Sequence, residues 1–174
     1  MSKDGELWEG IRRGDPDAFG AVYRAYAPGL QAFLRQILGD LHAAEDVTQE
    51  TFAAIWRRPN GFDAERGSLR SYLFGAGRKR AAEWWRRKRP ESDEMFAPDV
   101  DAAAETQSLI GDAFARLPAD QRSLLWLREV EGHSYEELAA TFEIPVGTVG
   151  SRLSAAREAL RNIWYAEHKT GGKA

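Results

Sequence analysis

The sequence predicts an all-α chain of two small helical bundles joined by an acidic linker, and three observations carry that reading. Apolar residues recur at one-turn spacing through the segments rich enough to form a core, and no strand-like alternation persists anywhere. Proline and glycine punctuate those segments at the places where the periodicity stops. Between residues 91 and 111 the chain carries six acids, no base and too little apolar content for a core, so that stretch reads as a linker. The units are therefore residues 1–90, the linker 91–111, and residues 112–174.

Taken in order, Phe19, Val22, Tyr23 and Tyr26 repeat at helical spacing, and Leu30, Phe33, Leu34 and Ile37 repeat it after Pro28 and Gly29. Two consecutive helices or one kinked helix follow, ended by Gly39 and Asp40. A further helix over Ala43–Arg58 buries Ala44, Val47, Thr51, Phe52 and Ile55 and stops at Pro59, Asn60 and Gly61. Its outward stripe is Asp46, Gln49, Glu50, Ala53 and Arg57. Acid near a helix N-terminus suits the helix dipole, so folding alone accounts for Asp46 and Glu45; Gln49 and Glu50 meet no such demand.

After a polar loop over 60–68, a long helix is predicted from Leu69 to Arg89, bounded by Pro90 and weakened by Gly75 and Gly77, each at a cost of up to about 1 kcal/mol relative to alanine. Leu73, Gly77, Ala81 and Trp84 form its inner side, and Arg78, Lys79, Ala82, Arg86 and Arg89 project outward. Arg78, Lys79, Arg80, Arg86, Arg87, Lys88 and Arg89 crowd positive charge that only Glu83 offsets, and such density attracts a polyanion. Trp84 and Trp85 beside it are either core and boundary residues or platforms for unpaired bases. Beyond the linker, Phe114 and Leu117, then Leu124, Leu125, Leu127 and Val130, give a helix pair broken at Pro118 and closed by Gly132.

Residues 134–161 read as a helix-turn-helix. Ser134 and Glu137 form a capping box that opens its first helix, whose buried face is Tyr135, Leu138, Ala139 and Phe142; Glu143, Ile144 and Pro145 end it. In the second helix Val149, Leu153, Ala156 and Leu160 lie within about 60° of one another on the helical wheel. Ser151, Ser154 and Ala155 face away, with Thr148 and Arg152 beside them and Arg157 on the opposite flank, an edge suited to a major groove. An ordinary helical hairpin with a polar outer face explains the same periodicity.

Composition narrows the function classes. The net charge of -3 comes from the linker, since residues 1–90 hold 16 bases against 12 acids and residues 112–174 hold eight against nine. With no cysteine, disulfides, thiolate metal sites and thiol catalysis are excluded together, and a reducing cytoplasm is expected. No secretory signal and no membrane-spanning run is read. His42, His133 and His168 are taken as solvated surface residues, so no catalytic residue, metal site or cofactor is expected and the chain is not read as an enzyme.

In this order the pieces resemble a bacterial sigma factor of the extracytoplasmic-function class, over roughly residues 14–164. Ala44 to Phe52, with Asp46, Gln49 and Glu50, is similar to the family's polymerase-binding helix; the basic helix and the helix-turn-helix with Gly147-Thr148-Val149 and Ser151-Arg152-Leu153 follow in register. The resemblance implies a region 2-like bundle and a region 4-like bundle, with core RNA polymerase and promoter DNA as partners. It implies that Asp46, Gln49, Glu50, Ala53 and Arg57 meet polymerase. It gives the minus-ten element to Asn60, Phe62, Ser68, Tyr72, Arg78, Lys79, Arg80, Glu83, Arg86 and Arg87, which would melt it and hold a flipped base. It gives the minus-thirty-five element to Thr148, Ser151, Arg152, Ser154 and Arg157, the linker to polymerase channels, and control to an anti-sigma factor. The chain departs from the family where Tyr72 replaces a common tryptophan, where Lys79 stands in place of an asparagine, and at Gly150 and Ala155, often cationic. Lys79, Gly150 and Ala155 leave the alternative of a sigma-like switch protein that binds polymerase or a regulator and reads DNA poorly; a free-standing helix-turn-helix repressor, which would bind duplex as a dimer, is a separate alternative.

Overall fold

The structure, a computed structural model, describes residues 2–88 and 109–169, and among them every regular element is a helix. In the N-terminal half, α1 spans Lys3–Arg12, α2 Pro16–Leu38, α3 Leu41–Arg57 and α4 Leu69–Lys88. In the C-terminal half, α5 spans Leu109–Ala115, α6 Ala119–Glu129, α7 Tyr135–Phe142 and α8 Val146–Lys169. The linker lies outside the described residues except for 109–111, which belong to α5 and shorten it at that end.

Local chemistry sets the boundaries. Asp15 accepts from the Asp17 amide and Pro16 opens α2, a residue whose missing N–H costs nothing in a first turn. The helix then runs unbroken through Pro28 to Gly39, which takes a left-handed φ of 69°, so one helix forms where the sequence left two open. Asp40 caps α3 through the Ala43 amide at 2.7 Å. The capping box at Ser134 and Glu137 forms in both directions, and Glu143 closes α7 at φ 54°.

The periodicity did not disclose α1. Gly5 and Gly10 interrupt it, yet Trp8 and Ile11 are buried and Asp4 accepts from the Leu69 amide at 3.0 Å, which caps α4 from across the fold.

The two halves share one core. α2 packs against α1, α3, α4 and α6, while α7 lies on α4. Phe33 of α2 meets Phe74 of α4 at 5.5 Å and Phe142 of α7 at 6.3 Å between ring centroids. Gly77, read from sequence as an inner-side residue that weakens the helix, is buried, and a Cβ there would come within 2.8 Å of Leu30.

Arg122 pins the halves together. Only 1% exposed, it donates Nε (2.9 Å) and Nη2 (2.7 Å) to the Gln36 carbonyl of α2 and Nη1 to the carbonyls of Ala115 (2.7 Å) and Leu117 (2.9 Å). It thereby satisfies carbonyls that helix ends leave orphaned. Arg122→Met should cost about 3–5 kcal/mol by stranding those acceptors in a buried site, read as a drop in denaturant midpoint at unchanged slope; a loss under about 1 kcal/mol would show that water replaces the guanidinium.

Candidate nucleic-acid and partner surfaces

α3 turns its apolar side inward and leaves Asp46, Gln49, Glu50, Ala53 and Arg57 exposed. Among the described residues none of the first four has a side-chain partner. Trp56, 39% exposed and one turn beyond Ala53, adds an aromatic to the same end and rests on Phe19 at 4.9 Å. The stripe did not include it.

Loop 59–68 and α4 enclose a recess of about 510 Å³, in the range of small-ligand sites. Phe62, Ser68, Tyr72, Lys79 and Arg80 line it, as do Gly61 and Arg66, which the sequence reading did not single out. Gly61 has to be glycine, because a Cβ there would collide with the Tyr72 hydroxyl. Trp8 supports both aromatic walls edge-on, at 5.3 Å from Phe62 and 5.4 Å from Tyr72. Sequence reasoning could have found it only by crediting the Leu7, Trp8 and Ile11 spacing of α1. Asn60 stands exposed at the loop's start, and Glu83, Arg86 and Arg87 are exposed further along α4, outside the recess.

α4 does not present a continuous cationic face. Ala82 is buried at 6% exposure rather than outward, and Arg89 lies outside the described residues. Trp84 and Trp85 are both half-buried against the core and meet edge-on at 5.2 Å. Three cationic residues of α4, Arg70, Arg78 and Lys79, are engaged by the C-terminal half. Arg70 pairs with Glu137 at 2.5 Å, Lys79 with Glu143 at 2.9 Å, and Arg78 reaches Asp120 at 3.9 Å while lying over the Phe142 ring. Ala140, Thr141 and Glu143 of α7 also line the recess, so α7 stands at its mouth.

Glu137 is the centre of that contact. Burial alone would raise its carboxyl, but hydrogen bonds from Arg70, the Ser134 amide and the Ser68 hydroxyl outweigh it and bring it from 4.5 down to about 2.

His133 sits beside it and corrects the reading of a solvated surface histidine. It is 0% exposed, packs edge-on against Phe74 at 4.8 Å, and neither ring nitrogen finds a hydrogen-bond partner. Burial first, and the nearby Arg70 charge second, pull it from 6.5 down to about 4. Because the folded value is depressed, the unfolded chain takes up the proton first, and stability falls as pH drops from 6.5 towards 4. Between pH 7.5 and 5 the loss should be about 2 kcal/mol, and His133→Phe should flatten it; equal pH slopes for both proteins in thermal melts would contradict this.

In the helix-turn-helix, Val149, Leu153 and Ala156 are buried and Ser151, Arg152, Ser154, Ala155 and Arg157 exposed, as the wheel requires, with Thr148 half-buried. Tyr135 is 37% exposed instead of buried, and Thr141 is buried in its place. Arg157 is tied to Glu129 of α6 at 2.6 Å, and Arg152 lines a small recess with Arg78 and Asp120.

Among the described residues no helix is long and apolar enough to cross a membrane, and no group of metal-ligating side chains gathers. Comparison with known proteins matches residues 22–91 to Sigma-70 region 2 and residues 107–160 to Sigma-70, region 4. The ECF RNA polymerase sigma factor RpoE of Cereibacter sphaeroides is 30% identical over 156 residues, covering 84% of this chain and 86% of that protein. Among solved structures, CnrH in complex with the cytosolic domain of CnrY superposes with a TM-score of 0.74 at 24% identity, covering 95% of this chain and 99% of that one. The sigma factor RpoE of Bartonella quintana, solved with the anti-sigma factor NepR, superposes with a TM-score of 0.67 at 27% identity, covering 83% and 95%. A chain whose described regular elements are all helices, with an exposed polar stripe, an aromatic and cationic recess, and a helix-turn-helix, matched in both regions and over most of its length, belongs to the ECF family of RNA polymerase sigma factors.

Proposed function

We propose that this chain binds core RNA polymerase, directs it to promoters without catalysis of its own, and is restrained in the cytoplasm by an anti-sigma factor, as its relative is found with NepR. The observation that carries this reading is the exposed stripe Asp46, Gln49, Glu50 and Ala53, which the fold leaves unengaged while it engages Arg70, Arg78 and Lys79 of α4. Residues 1–90 would act as the polymerase-binding and minus-ten unit, through Phe62, Ser68, Tyr72, Lys79 and Arg80 at the recess and Arg78, Arg86 and Arg87 along α4. Residues 112–174 would read the minus-thirty-five element through Thr148, Ser151, Arg152, Ser154 and Arg157. Unstacking a base costs a few kcal/mol, about what the Phe62 and Tyr72 surfaces and nearby cations can return.

With α7 on α4, the recess and the helix-turn-helix are folded against each other, so the arrangement described is a resting one. Promoter binding requires the acids of α7 to leave Arg70 and Lys79 to phosphates. Titrating core polymerase into the fluorescently labelled full chain tests the reading. Saturable binding is expected. Binding with no promoter opening would make the chain a switch protein, and no binding would refute the proposal.

A further inference from the structure

His133 lies in the turn between α6 and α7, yet its ring packs against the other half of the molecule. The turn fixes its backbone: Gly132 takes a left-handed φ of 68°, the His133 amide donates to the Leu127 carbonyl (2.9 Å), and the His133 carbonyl accepts from Arg128 Nη1 (2.8 Å). From there the imidazole meets Phe74 of α4 edge-on, and Phe74 in turn meets Phe33 of α2. The ring thus extends an aromatic row that belongs to the N-terminal half. It is fully buried, and neither ring nitrogen has a hydrogen-bond partner among the described residues. A phenylalanine would fill the same place without an unmet donor and an unmet acceptor, so stability does not account for a histidine here.

The charges around the ring decide what a proton would do. Arg70 of α4 opposes a second positive charge, and Arg128 of α6 adds another cation at the His133 carbonyl. Glu137 of α7 favours the charged ring, but its oxygens already accept from Arg70 Nε and Nη2, the Ser68 hydroxyl and the Ser134 amide, which fills the usual capacity of a carboxylate. Glu131, in the same turn, gives its carbonyl to Arg70 and sets its carboxylate beside Gly29 of α2. Tyr26 of α2 is held above its ordinary value by burial first and the Asp4 charge second, so it stays neutral. An imidazolium would therefore sit in the joint without a free acceptor, whereas parting of the halves uncovers the ring to water. We propose that His133 is a proton-operated release between the halves: mild acid charges the uncovered ring, and α7 with the rest of the helix-turn-helix leaves α4. This rests on the resting arrangement proposed above and goes beyond it by naming the signal that ends it.

The ring is depressed to about 4 in the closed form and returns to 6.5 in the open one, so closure is fully favoured above pH 6.5 and is lost as pH falls from 6.5 towards 4. Between pH 7.5 and 5.5 the open fraction should rise about tenfold. Glu137 contributes nothing in that window, because its carboxyl is ionised in both forms, at about 2 when closed and 4.5 when open. The test uses the full chain with dyes at His42→Cys on α3 and Glu158→Cys on α8, both exposed, and single-molecule energy transfer recorded across those pH values. The parent's low-transfer population should rise about tenfold at constant far-UV circular dichroism, and that of His133→Phe should change less than twofold. His133→Leu gives a second variant should the first fold poorly. A parent population indifferent to pH, an equal rise in the histidine variants, or a rise accompanied by loss of helix would each overturn the inference. If Glu137→Gln enlarges the population while pH does not move the parent, the resting arrangement stands and the proton release falls; if neither moves it, both fall. Proton-driven parting in a chain that ignores core polymerase would refute the sigma-factor reading and leave the release standing.

Discussion

Glu50→Lys protein is expected to fold as the parent does and to lose at least a hundredfold of its affinity for core RNA polymerase. The side chain is exposed on α3, makes no hydrogen bond or ion pair among the described residues, and follows the buried pair Val47 and Thr48, whose packing the change leaves alone. Substitutions at such positions alter stability by less than about 0.5 kcal/mol, so a large loss of binding can only report the partner surface. Truncating one side of a desolvated charge contact costs about 2–5 kcal/mol, and reversal adds like-charge repulsion, which together exceed a factor of one hundred. Far-UV circular dichroism and a melting curve check the fold, and a polymerase titration reads the affinity. Parental affinity would remove the stripe from the interface.

Glu137→Gln is expected to open the molecule. The carboxylate is 17% exposed and joins the halves through Arg70 and Ser68, while glutamine keeps the acceptor that the Ser134 amide needs, so α7 still starts in place. A fall of its carboxyl from 4.5 to about 2 corresponds to about 3 kcal/mol in favour of the ionised form. With the depressed value in the folded state, that stability is present above pH 4.5 and disappears as pH falls from 4.5 to about 2. Part of it belongs to the cap and survives opening, which leaves about 1–2 kcal/mol, or roughly a tenfold larger open fraction at neutral pH. The exposed pair Lys79 and Glu143 adds little. Because the chain has no cysteine, His42→Cys and Glu158→Cys, both exposed, provide unique dye positions on α3 and α8. Single-molecule energy transfer should show the low-transfer population rising about tenfold in Glu137→Gln protein; identical distributions would mean that apolar packing of Phe33, Phe74 and Phe142 alone holds the halves.

The elements most legible in the sequence are those with a clean apolar face and a local cap. α3 and α8 were readable because Val47, Phe52 and Ile55, and Val149, Leu153 and Ala156, keep one side of each helix, and α7 because Ser134 and Glu137 announce its start. What escaped depends on contacts between distant segments. α1 earns its place through Trp8 against Phe62 and Tyr72 and through Asp4 at the start of α4, none of which is local. Ala82, Thr141 and His133 are buried because α4 and α7 meet other helices, and a helical wheel has no knowledge of neighbours. The same limit applied to the candidate site: the cations of α4 were visible as a charge run, whereas the acids that engage Arg70, Arg78 and Lys79 come from 42 to 67 residues further along the chain.

The most direct measurement is a run-off transcription assay in which core polymerase, genomic fragments and the purified full chain are combined and the transcript starts are mapped. A sigma factor of this build predicts discrete start sites above the core-only background, lost with Glu50→Lys. Correctly folded protein that binds nothing and yields only the background pattern would contradict it.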